Sequence, residues 1–180
     1  GLGTVTPLAT VNVRPQVNGP IVKIAFKEGQ MIQKGGLLAV VDPRPYQAAL
    51  DQAVGQLGRD QAALVGARID LVRYKQLLKQ NSVAEQTYSD QVATVNQDVA
   101  AVAADKAAIE AARLNLEYCR ITSPVTGLVG LRQVDIGNLV QANQSTQIVT
   151  VTEMQPMSVL FSVPQNDLSQ ILQRVHGGQK

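Results

Sequence analysis

Val17-Asn18-Gly19-Pro20-Ile21-Val22 and Val125-Thr126-Gly127-Leu128-Val129-Gly130 are two copies of one short pattern, set on either side of a long Ala/Gln/Leu segment. In each copy a second glycine follows ten positions after the first, Gly29 in Lys27-Glu28-Gly29-Gln30 and Gly137 in Asp135-Ile136-Gly137-Asn138, and a β-branched run comes next. The arrangement reads as one domain split by a helical insertion. The first half predicts strands over 20–26 and 37–41 with a turn at Glu28-Gly29. The second predicts strands over 127–134 and 147–152 with a turn at Ile136-Gly137-Asn138, and a small loop insertion over 141–146 absorbs the drift between the copies. Glycine at such turns supplies a positive φ that a Cβ would penalise. Neither half can bury a core alone, so the two should pack together as one small sandwich with pseudo-twofold symmetry. Its candidate core residues are Val22, Ile24, Val40, Val129, Leu131, Val149 and Val151.

The insertion carries its own signal. Leu50, Leu57, Leu64, Leu71 and Leu78 recur every seven residues, with Tyr46, Ala53, Ala67 and Tyr74 at the companion positions and Asp60 as the polar exception. A strict heptad of this kind winds two helices into a left-handed supercoil. In the second half Tyr88, Val92, Val95, Val99, Val102, Ile109 and Leu116 follow the same alternation, with Lys106 and Arg113 as interruptions. Two antiparallel helices of about 34 residues, spanning 46–118, would each reach roughly 50 Å. The turn is placed at 81–83: Asn81 tolerates the left-handed conformation, and Ser82-Val83-Ala84-Glu85 fits a capping box worth about 1 kcal/mol. Pro43 and Pro45 stop the preceding strand, and Pro45 suits a first helical turn. Gly55, Gly58 and Gly66 inside the first helix admit either a close neighbouring helix or a bend.

Composition excludes several classes. The chain has 180 residues, is 45% apolar and only 3% aromatic, and carries a net charge of +2 without a cluster of four Lys/Arg, so it suits several small modules and offers no footprint for nucleic acid. No apolar run approaches the ~18 residues of a membrane span and none reads as a signal sequence, so nothing within these residues is expected to cross a membrane by itself, with an export signal or anchor ahead of Gly1 left open. Cys119 is single and reads as a small buried hydrophobe; His176, before Gly177-Gly178, reads as a surface or helix-end residue. No Ser/His/Asp set, Cys pair, phosphate-cradling loop or metal cluster is arranged, so the expectation is no enzyme, no cofactor and no metal. Asp98, Asp105 and Glu110 are expected on a solvated helix face. Asp105-Lys106-Ala107 looks superficially like a lipoyl-lysine turn, but it falls in mid-helix.

Several strings together carry a resemblance. They are Val17-Asn18-Gly19 with Lys27-Glu28-Gly29-Gln30, Leu38-Ala39-Val40-Val41-Asp42-Pro43, Arg120-Ile121-Thr122-Ser123-Pro124-Val125-Thr126-Gly127, and Val134-Asp135-Ile136-Gly137-Asn138. As a set they resemble the periplasmic adaptor, or membrane fusion, proteins of tripartite efflux pumps, in the branch serving resistance-nodulation-division (RND) drug pumps. The resemblance covers nearly the whole chain. It implies an elongated α+β fold: a split biotinyl/lipoyl-like β-sandwich with an inserted antiparallel coiled-coil α-hairpin and part of a β-barrel. The expected division is a first barrel strand in 1–13, lipoyl-like half 1 in 14–44, the hairpin in 45–119, half 2 in 120–153, and partial barrel with a short helix in 154–180. Residues 3–13 and 157–163 read as barrel strands and 165–175 as that helix, opened by Pro164.

In that family the hairpin tip carries an arginine, a leucine four residues on and a serine seven further, which engage an outer-membrane channel. Arg73 and Leu77 match the first two; the third position is Ala84, with Ser82 two residues earlier. The resemblance further implies a homo-oligomeric ring, trimer or hexamer, in the periplasm and associated with the inner membrane. The ring would link an inner-membrane RND transporter to a TolC-like outer-membrane channel. An N-terminal anchor before Gly1 and further barrel strands after Lys180 belong to the same expectation. The alternatives are an adaptor of an ABC exporter or type I secretion system, and a biotin or lipoate carrier subunit, which would need an exposed lysine in a tight turn between the halves.

Overall fold

The computed structural model describes residues 3–142 and 146–161; the expected helix over 165–175, His176 and the end of the strand expected to 163 lie outside them. The elements run β1 (Gly3–Pro7), β2 (Thr10–Val13), β3 (Gly19–Ile24), β4 (Met31–Ile32), β5 (Leu37–Val41), α1 (Arg44–Lys79), α2 (Glu85–Tyr118), β6 (Arg120–Thr122), β7 (Gly127–Arg132), β8 (Leu139–Val140), β9 (Val149–Thr152) and β10 (Met157–Phe161).

Two four-stranded sheets form the sandwich, in the orders β2-β9-β7-β4 and β6-β5-β3-β8. Each sheet takes strands from both sides of the hairpin. The pairings are related by the sequence repeat: β3 with β5 and β8 in one sheet corresponds to β7 with β9 and β4 in the other, and β6 flanks β5 as β2 flanks β9. At the repeated glycines the correspondence extends to single bonds. The Gly29 amide donates to the Val129 carbonyl (2.9 Å) and the Val129 amide to the Gln30 carbonyl (2.9 Å). Reciprocally, the Gly137 amide donates to the Ile21 carbonyl (2.8 Å) and the Ile21 amide to the Asn138 carbonyl (2.9 Å). Gly29 and Gly137 sit at φ +72° and +94°, the left-handed region that favours glycine.

The sandwich core is built from Ile21, Leu38, Val41, Val129, Val140, Ile148, Val149 and Val151, with Val13, Ile121 and Cys119 sealing its ends. Val129, Val149 and Val151 were expected there; Ile24 only packs against the cluster and Val40 is half-buried. Val22 and Leu131 face water, 44% and 74% exposed. The reason is register. The ladder shifts between Ile21 and Lys23 on β3 and between Val129 and Arg132 on β7. Where side chains alternate faces, a one-residue change of phase sends an apolar residue outward. The stretch 3–13, expected as one barrel strand, is two strands: β1 pairs with β10 in a separate ribbon, whereas β2 joins the sandwich against β9.

The hairpin follows the first heptad. Leu64 and Ala67 of α1 are buried with Val95 and Val102 of α2, and Leu57 and Leu71 pack against them. On α2 the seam runs differently from the sequence reading. Val99 is 43% exposed, and Lys106 and Arg113 point to solvent instead of interrupting the contact. Half-buried Asp98, Asp105 and Ala112 take those positions. Asp105 is therefore not a solvated-face residue: helical phase fixes which side chain faces the partner, and polarity is accommodated afterwards. A Cβ at Gly55, Gly58 or Gly66 would meet nothing within 4 Å, so these glycines serve no close helix approach inside the chain.

Candidate functional site

The free end of the hairpin holds all four residues singled out from the sequence. Arg73 and Leu77 lie in the last two turns of α1, Ser82 in the connection, and Ala84 at the N-cap of α2. The end is closed by backbone bonds. The Gln80 and Ser82 amides both donate to the Leu77 carbonyl, at 3.1 and 2.9 Å, and the Asn81 amide donates to the Leu78 carbonyl at 3.0 Å. Asn81 takes φ 53°, which turns the chain and lets these amides satisfy carbonyls the helix would leave bare. The expected capping box is absent. Ala84, not Ser82, occupies the N-cap, without a side-chain cap bond, and the Ser82 hydroxyl instead donates to the Gln80 carbonyl at 3.3 Å. Ser82 lies too early to cap α2, because Val83 and Ala84 still stand outside the helix.

Arg73 is 70% exposed at its side chain and, among the described residues, pairs only with Asp70, Nη1 to Oδ1 at 3.0 Å, one turn earlier on the same helix. An exposed pair of this geometry contributes a few tenths of a kcal/mol, about 0.3–0.5, so the guanidinium is readily released to another acceptor. Leu77 is 37% exposed. Ile69 and Val72, 49% and 58% exposed, extend the same helix face. The sequence reading passed over them, although Ile69 stands four residues before Arg73 and Val72 three after Ile69, both spacings of helical neighbours.

At the other end, the hairpin is fixed to the sandwich. The Tyr46 hydroxyl donates to the Asn18 carbonyl (2.7 Å) and accepts from the Asn18 amide (3.1 Å). Asn18 Oδ1 in turn accepts from the Ala142 amide (2.8 Å), so one residue ties α1 to both half-motifs. Asp42, buried just before α1, receives Arg44 Nε on Oδ1 (3.0 Å) and Nη2 on Oδ2 (2.6 Å), plus the Arg44 amide (3.0 Å). The Arg44 side chain first, and its amide second, hold the Asp42 carboxyl below the usual carboxylate range. Cys119 closes the helical return; it is fully buried, its thiol donates to the Asn115 carbonyl at 3.4 Å, and burial, then the Asp42 charge, push its pKa up. A thiol so placed is a packing group. Among the described residues no group of three His, Cys, Asp or Glu could hold a metal, and no helix is long and apolar enough to cross a membrane.

Two interleaved half-motifs, split by a long hairpin with an exposed end, define the scaffold class known as the barrel-sandwich hybrid. The chain belongs to the family described as RND MFP (membrane fusion protein), barrel-sandwich hybrid domain, which matches residues 9–152. It is 49% identical over 179 residues to the multidrug resistance protein MdtA of Pantoea ananatis, covering 99% of this chain and 44% of that protein. To MdtA of Pectobacterium atrosepticum it is 46% identical, again over 99% of this chain and 44% of the relative. The crystal structure of a MacA–MexA chimera containing the Pseudomonas aeruginosa MexA α-hairpin domain is 36% identical, with a TM-score of 0.57 over 93% of this chain and 56% of that one. The chain thus spans less than half the length of these curated relatives.

Proposed function

We propose that the chain is the sandwich and hairpin portion of a periplasmic adaptor subunit of a tripartite drug efflux pump. It links an inner-membrane, proton-driven RND transporter to a TolC-like outer-membrane channel and carries out no catalysis itself. Copies assemble as a ring, trimer or hexamer, associated with the inner membrane. In this reading the chain divides at 13/14, 44/45, 119/120 and 153/154 into a barrel strand, the two lipoyl-like halves around the hairpin, and the start of a barrel domain.

The observation that carries the reading is the free hairpin end, where an exposed arginine and an exposed leucine one turn apart stand far from the sandwich. At 1.5 Å per residue, α1 holds that end about 50 Å from its base, which suits a bridge between two membrane complexes. Arg73 leaves its weak bond to Asp70 to fork onto carbonyls or a carboxylate of a channel helix, and Leu77 seals the contact, with Ile69 and Val72 extending it. Ala84 stands at the third docking position with Ser82 beside it, so that position offers little hydrogen bonding.

The test is capture of the full-length protein from membranes, with a cysteine cross-linker placed at Leu77. The expected result is an RND transporter and a TolC-like channel in the captured material, with the cross-link going to the channel. Recovery of an ATP-driven exporter in place of the RND transporter would overturn the pump assignment.

A further inference from the structure

One layer of the hairpin seam sets a carboxyl on each helix, and Asp98, half-buried one heptad before Asp105, is the other carboxyl that α2 turns inward. Asp60 stands between Leu57 and Leu64 on α1, and Asp105 between Val102 and Ile109 on α2, so the two carboxyls meet midway along the hairpin at hydrogen-bonding reach. Gln56 Nε2 donates to both Asp60 oxygens, at 3.2 and 3.1 Å. Asp105 Oδ2 has no such support: it is sealed from solvent, and no donor of the described residues bonds it. An ionised oxygen in that position would lose its hydration for nothing, and would face a second carboxylate across the seam.

The surroundings supply no counter-charge strong enough to repair this. From α1 the pair is faced by Arg59, whose guanidinium is engaged by Gln56 Oε1 and only partly offsets the repulsion. From α2, Lys106 is the next residue, but it lines a different groove with Gln61, Val65 and Arg68. The groove beside Asp105 is lined otherwise by Ala49, Ala53, Gln52, Gln56, Ala108 and Ala112, none of them titratable. What the pair lacks is a donor, and a proton is the smallest one.

We infer that Asp60 and Asp105 share one proton across the seam, carried by Asp105 and accepted by Asp60, and that this bond makes the middle of the hairpin a pH-sensitive staple. Burial first, and Asp60 second, raise the Asp105 carboxyl above the ordinary aspartate range. A folded-state value above the unfolded one means the folded hairpin binds the proton more tightly. The stabilisation is complete below the ordinary value of 3.8 and drains away as pH rises through the raised value. Acid tightens the hairpin middle and alkali loosens it.

The test uses the 180-residue chain. Side-chain carboxyl NMR should show the Asp105 titration displaced clearly above that of the exposed aspartates. Helix melting followed by circular dichroism should show the wild-type midpoint falling as pH rises from about 4 to about 8. Asp105→Asn supplies the donor without the charge, so its midpoint should lose that part of the pH dependence and exceed wild type at the alkaline end. Asp60→Asn should flatten the profile in the same way, and the NMR titration of the wild type stands even if either variant folds poorly. An Asp105 titration at the ordinary aspartate value, or wild-type and Asn profiles that run parallel, would overturn the inference.

Discussion

Replacing Gly127 with alanine probes the interleaving of the two half-motifs at its tightest point. Gly127 opens β7, and a Cβ built there would lie 2.2 Å from the Thr152 carbonyl oxygen and 2.7 Å from its carbon. Both atoms belong to the backbone of β9, which is held between β2 and β7, so no side chain can swing aside. Carbon and carbonyl oxygen make contact at about 3.3 Å, and the strands would have to part by about 1 Å. That movement strains the Leu128–Thr152 register with β9 and the Met31–Leu128 register with β4 together. Overpacking of a close-packed interior costs about 1–3 kcal/mol where side chains yield, so about 3 kcal/mol or more is expected where backbone must. For a protein of this size that lowers the melting midpoint by roughly 6–12 °C. Gly130 on the same strand is the internal control, because its added Cβ would lie 3.2 Å from the Thr150 carbonyl oxygen and needs only a few tenths of an ångström. Gly130→Ala should cost about 1 kcal/mol or less, since alanine also restricts the unfolded chain. Urea unfolding read at the Val129 and Val151 amides, with helix dichroism followed separately, distinguishes the sandwich from the hairpin. Equal midpoints for the two variants would refute the reasoning, because only the contact at Thr152 separates them.

Four further outcomes follow from other contacts. Arg73→Asp should shift unfolding by no more than about 0.5 kcal/mol, as an exposed position does, while abolishing channel cross-linking and drug efflux in cells; intact efflux would remove Arg73 from the docking role. Ser82→Ala should be neutral within about 0.5 kcal/mol in thermal melting rather than costing a cap, because among the described residues the Ser82 hydroxyl bonds only the Gln80 carbonyl. Tyr46→Phe should cost about 1–2 kcal/mol by removing two bonds to Asn18, and amide exchange at Asn18 should quicken; unchanged exchange would show that the hydroxyl holds nothing. Arg44→Gln bears on acid sensitivity. Asp42 has a lowered folded-state pKa, so its contribution is present above the ordinary 3.8 and is lost as pH falls through the lowered value, and the variant should lose less stability on acidification than the wild type.

The sequence was most legible where periodicity and physical role coincide. The heptad leucines Leu50, Leu57, Leu64, Leu71 and Leu78 are all buried or half-buried, because leucine satisfies both the heptad and the burial it implies. On α2 the two criteria separate. A reading by hydrophobicity prefers Val99 to Asp98 and treats Lys106 as a fault in the seam, whereas the helix turns by its own geometry and brings Asp98 and Asp105 inward. The same split explains β3, where Ile21 and Val22 are equally suited to a core and only the shift before Lys23 decides between them. Ser82-Val83-Ala84-Glu85 satisfied a motif whose geometry required the helix to begin two residues earlier than it does. The exposed hairpin end was legible through Arg73 and Leu77, but the exposure of Ile69 and Val72 was not, because an exposed apolar residue on a long helix carries no signal until its face is known.

The repeat explains why so long an insertion leaves the sandwich intact. The Val41 amide donates to the Cys119 carbonyl at 2.9 Å, so the chain leaves the sandwich and returns to it through neighbouring strands, β5 and β6. Two helices of 36 and 34 residues fit between those points because an antiparallel pair begins and ends at the same place. Neither half could satisfy its backbone without the other, since Gly29 and Gln30 bond Val129 while Gly137 and Asn138 bond Ile21. A half-motif alone would bury apolar faces against nothing and leave these groups unpaired, at about 1–3 kcal/mol for each that is sealed from water. Closure of the sandwich therefore forces the two ends of the hairpin together, and the Tyr46–Asn18 and Asp42–Arg44 contacts then fix its base. The stability that holds the free end of the hairpin far from the body originates in the pairing of two short segments that the sequence itself holds more than a hundred residues apart.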